Sequence, residues 1–136
     1  MTHPITELQT SLVAALLADT QLVALLAGNA IFDTPPKGAT PPYITIVRHD
    51  VLTRDGDLAP GYDHRLLLHC RVSKSSRKAV LEIVERLVFV AITIDLSSAG
   101  LIVTHAQHDR TDTSVDLSNG QAHAAVVVRF LSEPVT

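Results

Sequence analysis

Residues 5–47 read ITELQTSLVAALLADTQLVALLA, then GN, then AIFD, then TPPKGATPP, then YITIV. Leu8, Leu12, Ala15 and Leu16 recur at helical spacing, and Leu22, Leu25 and Leu26 continue an apolar face beyond Asp19. Pro4 suits a first helical turn, where its missing N–H costs nothing, and Glu7 suits the positive end of the helix. Asp19 reads as the cap of a second short helix, so one bent helix and two abutting helices both fit. Gly28-Asn29 stops the run, because both residues tolerate the left-handed backbone that ends helices. A short strand at Ile31-Phe32 follows. The prolines at 35, 36, 41 and 42 cannot pair inside a sheet, so this stretch crosses the surface or lies on an edge. From Tyr43 to Val51 the residues are β-branched and read as a strand.

Further along, 53–61 is a loop, with Asp-Gly and Pro-Gly as its turn signals. The strand at 64–72 alternates: Leu66, Leu68, Cys70 and Val72 share one face, and Arg65, Leu67, His69 and Arg71 the other. That is the pattern of an antiparallel strand buried on one side. Ser73–Ser76 offers a serine cap for another helix, whose stripe is Val80, Ile83, Val84, Leu87, Val88 and Ala91. Glu82 and Arg86 have the spacing to pair on its outer side, and the helix is expected to fray near Ala91. Strands are expected at 101–108 and 122–131. The polar segment 109–120 between them is turn-rich, with Asn119-Gly120 as a hairpin turn, and it gives the two strands room to extend as a long projecting hairpin.

The order is helix, strand, strand, strand, helix, strand, strand. An α+β fold satisfies it, with a mostly antiparallel four- to five-stranded sheet and two helices packed on one face. At 136 residues, one domain over 1–136 is the expectation. The 46% of apolar residues fill a core that is aliphatic, since aromatics are 4% and Trp is absent.

Composition narrows function. The formal charge is −3, and Lys37, Lys74 and Lys78 form no stripe, which argues against nucleic acid as a gripped partner. The lone Cys70 excludes an internal disulfide. Residues 1–4 lack a basic leader region, and 87–92 is far shorter than the roughly 20 apolar residues of a membrane span, so a soluble protein made inside the cell is expected. No nucleophile elbow is present, and Gly56 and Gly61 flank an acidic segment, the wrong sign for a phosphate loop.

Histidine is in unusual supply. His49, His64, His69, His105, His108 and His123 all fall on or beside strands. A metal site needs three or four side chains that converge. His105 and His108 point to opposite faces, and His49-Asp50 lacks the helical setting and further pairs of the HD hydrolases. His69 and His123 can share the solvent face. Polar-face strand residues are the favoured reading, with an ion held across a subunit contact as the alternative. Cys70 and His69 face opposite ways, so the thiol reads as buried and structural. No catalytic, cofactor or metal residue is assigned. Asp55, Asp57, Asp109, Asp112 and Asp116, with Arg54 and Arg110, read equally as turn formers and as partner contacts.

The chain resembles the tail-completion, or tail-terminator, proteins of long-tailed phages, prophages and gene-transfer agents. The resemblance rests on Leu16–Asp19 and 22–28, Ile31–Asp33, Pro35–Gly38, Pro42–Thr45, the strand 66–73, the serine-rich start of the later helix, and 124–130. A Trp that often follows the third strand in that family is missing here. The resemblance implies a structural virion protein, without catalysis or cofactor, made in the host cytoplasm and located in the tail or neck. It implies a ring, commonly a hexamer, built from a subunit able to stay monomeric when free. This ring caps the head-proximal end of the tail tube and joins it to the head-tail connector or stopper. DNA passes through the lumen ungripped, and no membrane is involved. The interface residues expected from loop position and charge are Arg54, Asp55, Asp57, Arg65, Arg71, Arg110 and Asp112. A small-molecule-binding or metal-binding α+β module is the alternative.

Overall fold

In the computed structural model, residues 3–28, 30–54 and 60–135 are described. Helices α1 (Pro4–Ala18) and α2 (Thr20–Leu26) meet at an 84° bend, so two abutting helices are present rather than one bent rod. Asp19 makes the corner: its Oδ2 accepts from the Leu22 N–H at 3.0 Å, capping α2. The left-handed residue that ends α2 is Ala27 (φ 55°), one position earlier than the Gly28-Asn29 signal. No single helix among the described residues is long and apolar enough to cross a membrane.

Strands β1 (Ile31–Phe32), β2 (Tyr43–Thr53), β3 (Tyr62–Val72), β4 (Leu101–Val115) and β5 (Ala122–Pro134) form one sheet in the order β1-β2-β3-β5-β4. Among the described residues only the β1–β2 pair is parallel. Helix α3 (Arg77–Thr93) joins β3 to β4; Ser76 caps it, and its backbone stays helical two residues past Ala91. The fold is thus α+β and mostly antiparallel, with three helices among the described residues where two are expected. Segment 109–120 is largely strand: β4 runs on to Val115, and only 116–121 turns. Cross-strand pairing with β5 along its whole length outweighs the turn-forming tendency of Asp109, Asp112 and Ser114.

Leu66, Leu68, Cys70 and Val72 face the helices, as the alternation predicts, and all are buried. They meet Leu8, Leu12 and Leu16 of α1, Leu22 and Leu26 of α2, the Val80–Ala91 stripe of α3, and Val126, Val128 and Phe130 of β5. Mostly aliphatic side chains, joined by Phe130 and Cys70, therefore fill the space between helices and sheet. Among the described residues no helix packs on the other face of the sheet.

Candidate functional site

Two surfaces and one buried cluster hold the polar chemistry. The open face of the sheet is built by register. Arg65 lies opposite Asp50 of β2 and Arg129 of β5, and Gln107 of β4 lies beyond Arg129. Residues opposite one another share a face, so Arg65 stands between the opposite charge of Asp50 and the like charge of Arg129. Arg129 donates from Nε (2.9 Å) and Nη2 (2.6 Å) to the two oxygens of Asp63, a bidentate pair that holds the Asp63 carboxyl below its ordinary range. Arg48–Asp50 (2.8 Å), Arg65–Asp109 (3.4 Å) and Arg110–Asp112 (3.3 Å) are looser and more exposed.

Of the expected interface residues, Arg65 and Arg71 on β3 and Arg110 and Asp112 on β4 share this open face. Arg110 and Asp112 lie in a strand, not in a loop. Arg54 is exposed just past β2, where its N–H donates to the Gly61 carbonyl at 2.6 Å. Asp55 and Asp57 lie outside the described residues.

The polar-face reading of the histidines fails at two positions. His64 is fully buried on the helix side, in phase with Leu66, and His49 reaches the same side. Gln9 Nε2 lies 3.1 Å from His49 Nδ1, His49 Nε2 lies 2.8 Å from His64 Nδ1, and His64 Nε2 lies 2.8 Å from Ser132 Oγ. With the Gln9 amide as donor, protons run one way along the row, and each ring is neutral with one N–H. Burial drives both rings down to about 4, the nearby His64 adding to the effect at His49. The signal was in the sequence, since position 64 continues the 66-68-70-72 alternation. The partners on α1 and β5 were not.

The remaining histidines occupy the exterior. His105 contacts Gln107, His108 contacts Thr111, and His123 contacts Ser114; the His69 and His123 rings sit 6.3 Å apart on the open face. Among the described residues no three His, Cys, Asp or Glu side chains converge on one point. Cys70 faces the core, where burial pushes its thiol up to about 12.

On the helix side, the expected Glu82–Arg86 pair does not form. Arg86 reaches across to Asp19, donating from Nε and Nη2 at 2.7 Å each, and its guanidinium lies 4.6 Å over the Phe89 ring. A corner carboxylate in fixed geometry outcompetes a flexible neighbour on the same helix. Glu82 and Glu85 are left on the rim of a groove between α2 and α3, with Leu25 and Phe89 in its wall.

The chain matches the family model of tail completion protein gp17 over residues 10–131. Its fold is similar to that of a chain from the virion of a native gene transfer agent particle. That likeness has a TM-score of 0.83 at 19% identity, with 97% of this chain and 99% of that chain covered. No curated protein matches.

Proposed function

The chain belongs to the tail completion protein gp17 family, and from that premise we propose that it is a tail terminator, acting as one unit over 1–136. In this reading it is a structural protein of a phage-type tail that turns over no substrate. Copies assemble into a ring, with six subunits expected, on the head-proximal end of the tail tube. The ring stops tube growth, joins the tube to the connector or stopper of the head, and lets DNA through its lumen. The finished location is the tail or neck of the virion, after synthesis in the host cytoplasm.

The observation that carries this reading is the extent of the family match, which begins inside α1 and ends in β5. The similar chain in a gene-transfer-agent virion supports it, because its fold is aligned almost end to end. Two physical features agree. The net charge of −3 suits a lumen that DNA crosses without sticking. Leu25, Leu81, Phe89, Ile92 and Leu117 are apolar and exposed, as expected of a subunit that finishes burying its surface by assembly. Arg54, Arg65, Arg71, Arg110 and Asp112, together with Asp55 and Asp57, remain the proposed partner-facing charges.

Native mass spectrometry of the protein, alone and mixed with the tail-tube protein encoded beside it, tests the proposal. A ring, or a discrete complex with the tube protein, is expected. Monomer or dimer under both conditions would overturn it.

A further inference from the structure

At the tip of the β4–β5 hairpin, Leu117 is 97% exposed. The turn that presents it is held by several hydrogen bonds of its own. The Asp116 N–H donates to the Gln121 carbonyl and the Gly120 N–H to the Asp116 carbonyl, each at 2.8 Å. Asp116 Oδ1 accepts from the N–H (2.9 Å) and hydroxyl (2.7 Å) of Ser118, and Asn119 Oδ1 accepts from the Gln121 N–H at 2.9 Å. Gly120, at φ 70°, supplies the one left-handed residue of this turn. The tip is also tied to the body: Ser75 Oγ donates to the Gly120 carbonyl at 2.5 Å, and the Ala122 N–H to the Lys74 carbonyl at 3.0 Å. A turn this well satisfied holds its leucine out in water without any contact of its own to bury it.

The tether fixes what surrounds the leucine. Lys74 stands beside the hairpin tip, and Arg77 and Lys78 open α3 just beyond it; all three are exposed. Among the described residues none of them makes an ion pair. The knob is therefore apolar, with the Asp116 carboxylate folded into its own turn and three basic side chains beside it. The α2/α3 groove has the opposite character. Its volume is about 380 Å³, its wall is Leu25 (37% exposed) and Phe89 (49% exposed), and its rim carries Glu82 and Glu85. The one cation there, Arg86, is already held by Asp19.

We infer that Leu117 of one copy docks between Leu25 and Phe89 of a second copy, with Lys74, Arg77 and Lys78 set against Glu82 and Glu85. Leu117 offers an apolar side chain to an apolar groove, and the basic residues beside it are opposite in sign to Glu82 and Glu85, although Lys74 also lines a pocket with Leu25 and Glu82 of its own chain. An exposure of 97% means that the leucine does not reach the groove of its own chain. A knob and a hole at different places on one chain make a head-to-tail contact, the kind that closes into rings. Buried hydrophobic contact supplies the strength, and the charges supply direction and partner choice.

This inference rests on the ring reading, and one set of proteins separates the two. Four chains are compared by native mass spectrometry and sedimentation at low and high salt, with and without the tube protein: wild type, Leu117→Ser, Glu82→Lys/Glu85→Lys, and Lys74→Glu/Lys78→Glu. All substitutions are at exposed positions, and circular dichroism checks that each chain folds. Leu117→Ser is expected to weaken self-association about 10- to 100-fold, the loss of one buried leucine. Each charge reversal is expected to weaken it at low salt, and an equimolar mixture of the two reversed chains to restore it, because every contact in an alternating assembly is then again between opposite charges. A wild type that never assembles overturns the ring reading and this inference with it. A wild type that assembles while all three variants match it, or a mixture that does not recover, overturns the inference alone. Unchanged self-assembly with lost tube binding by Leu117→Ser also overturns it, and assigns the knob to the tube protein.

Discussion

Taking the protein from about pH 7.5 to about pH 5 is expected to remove about 3 kcal/mol of stability, through the buried histidine row. His64 is fully inaccessible and its ring is pushed down to about 4 from 6.5 by burial, against the pull of Asp63. A depressed histidine is stable as the neutral ring. Its penalty is absent above 6.5 and grows as pH falls from there toward 4, because the unfolded chain binds the proton first. Linkage for one such ring at about pH 5 gives a loss of about 2 kcal/mol. His49, also at about 4, is partly exposed, so solvent screening halves its share to about 1 kcal/mol. The geometry gives the same direction. One proton on His49 can be met if the Gln9 amide turns to offer its oxygen, but a second would set N–H against N–H across the 2.8 Å His49–His64 contact. The charged groups nearest are His3, Asp50, Asp63 and Arg65, and the two aspartates only moderate the effect. Urea unfolding followed by far-UV circular dichroism at the two pH values measures the loss. His64→Leu serves as the control: it should be less stable at neutral pH by about 1–3 kcal/mol, since Ser132 and His49 lose a partner, but its drop on acidification should shrink to about 1 kcal/mol. Equal wild-type stability at both pH values, or a His64→Leu chain that keeps the whole drop, would refute the reasoning. His69, also lowered by partial burial, adds a smaller loss of the same sign that the control retains.

Asp19→Ala removes the α2 cap and the anchor of Arg86 together, and should lower stability by at least the roughly 1–2 kcal/mol of a lost cap; Asp19→Asn, which keeps a cap acceptor, should recover part of it in the same urea titration. Asp63→Asn should weaken the Arg129 pair above the ordinary carboxylate range and flatten the stability profile below it, since the wild-type benefit is lost only as pH falls through the depressed Asp63 value; thermal melts from neutral to acid pH would expose an unchanged profile. Cys70, buried with its thiol raised to about 12, should react with a colorimetric disulfide reagent only as fast as the chain unfolds, so that urea accelerates labelling; rapid labelling of the native protein would contradict its placement.

Elements whose signal is local were legible in the chain itself. Asp19 caps α2 and Ser76 caps α3, because a cap is a bond between residues three apart. The alternation from Leu66 to Val72 fixed which side of β3 is buried, since a strand has only two faces. The prolines at 35–42 kept that stretch out of the sheet. The family resemblance drew on the order of these elements, and the family match spans residues 10–131.

What bridges distant segments was decided by the tertiary structure. Arg86 had two acids to choose from, and sequence spacing favoured Glu82; the 84° corner at Asp19 brought a better-held carboxylate within 2.7 Å. His64 continues the buried alternation of β3, but the row from Gln9 to Ser132 exists only because α1 and β5 close over it. The polar run after Asp109 became strand because β5 offered it a partner along its whole length. Local spacing sets which residues share a face or cap an end. Which charge finds which partner, and which histidine loses its water, depends on contacts between residues tens of positions apart, and only packing creates those.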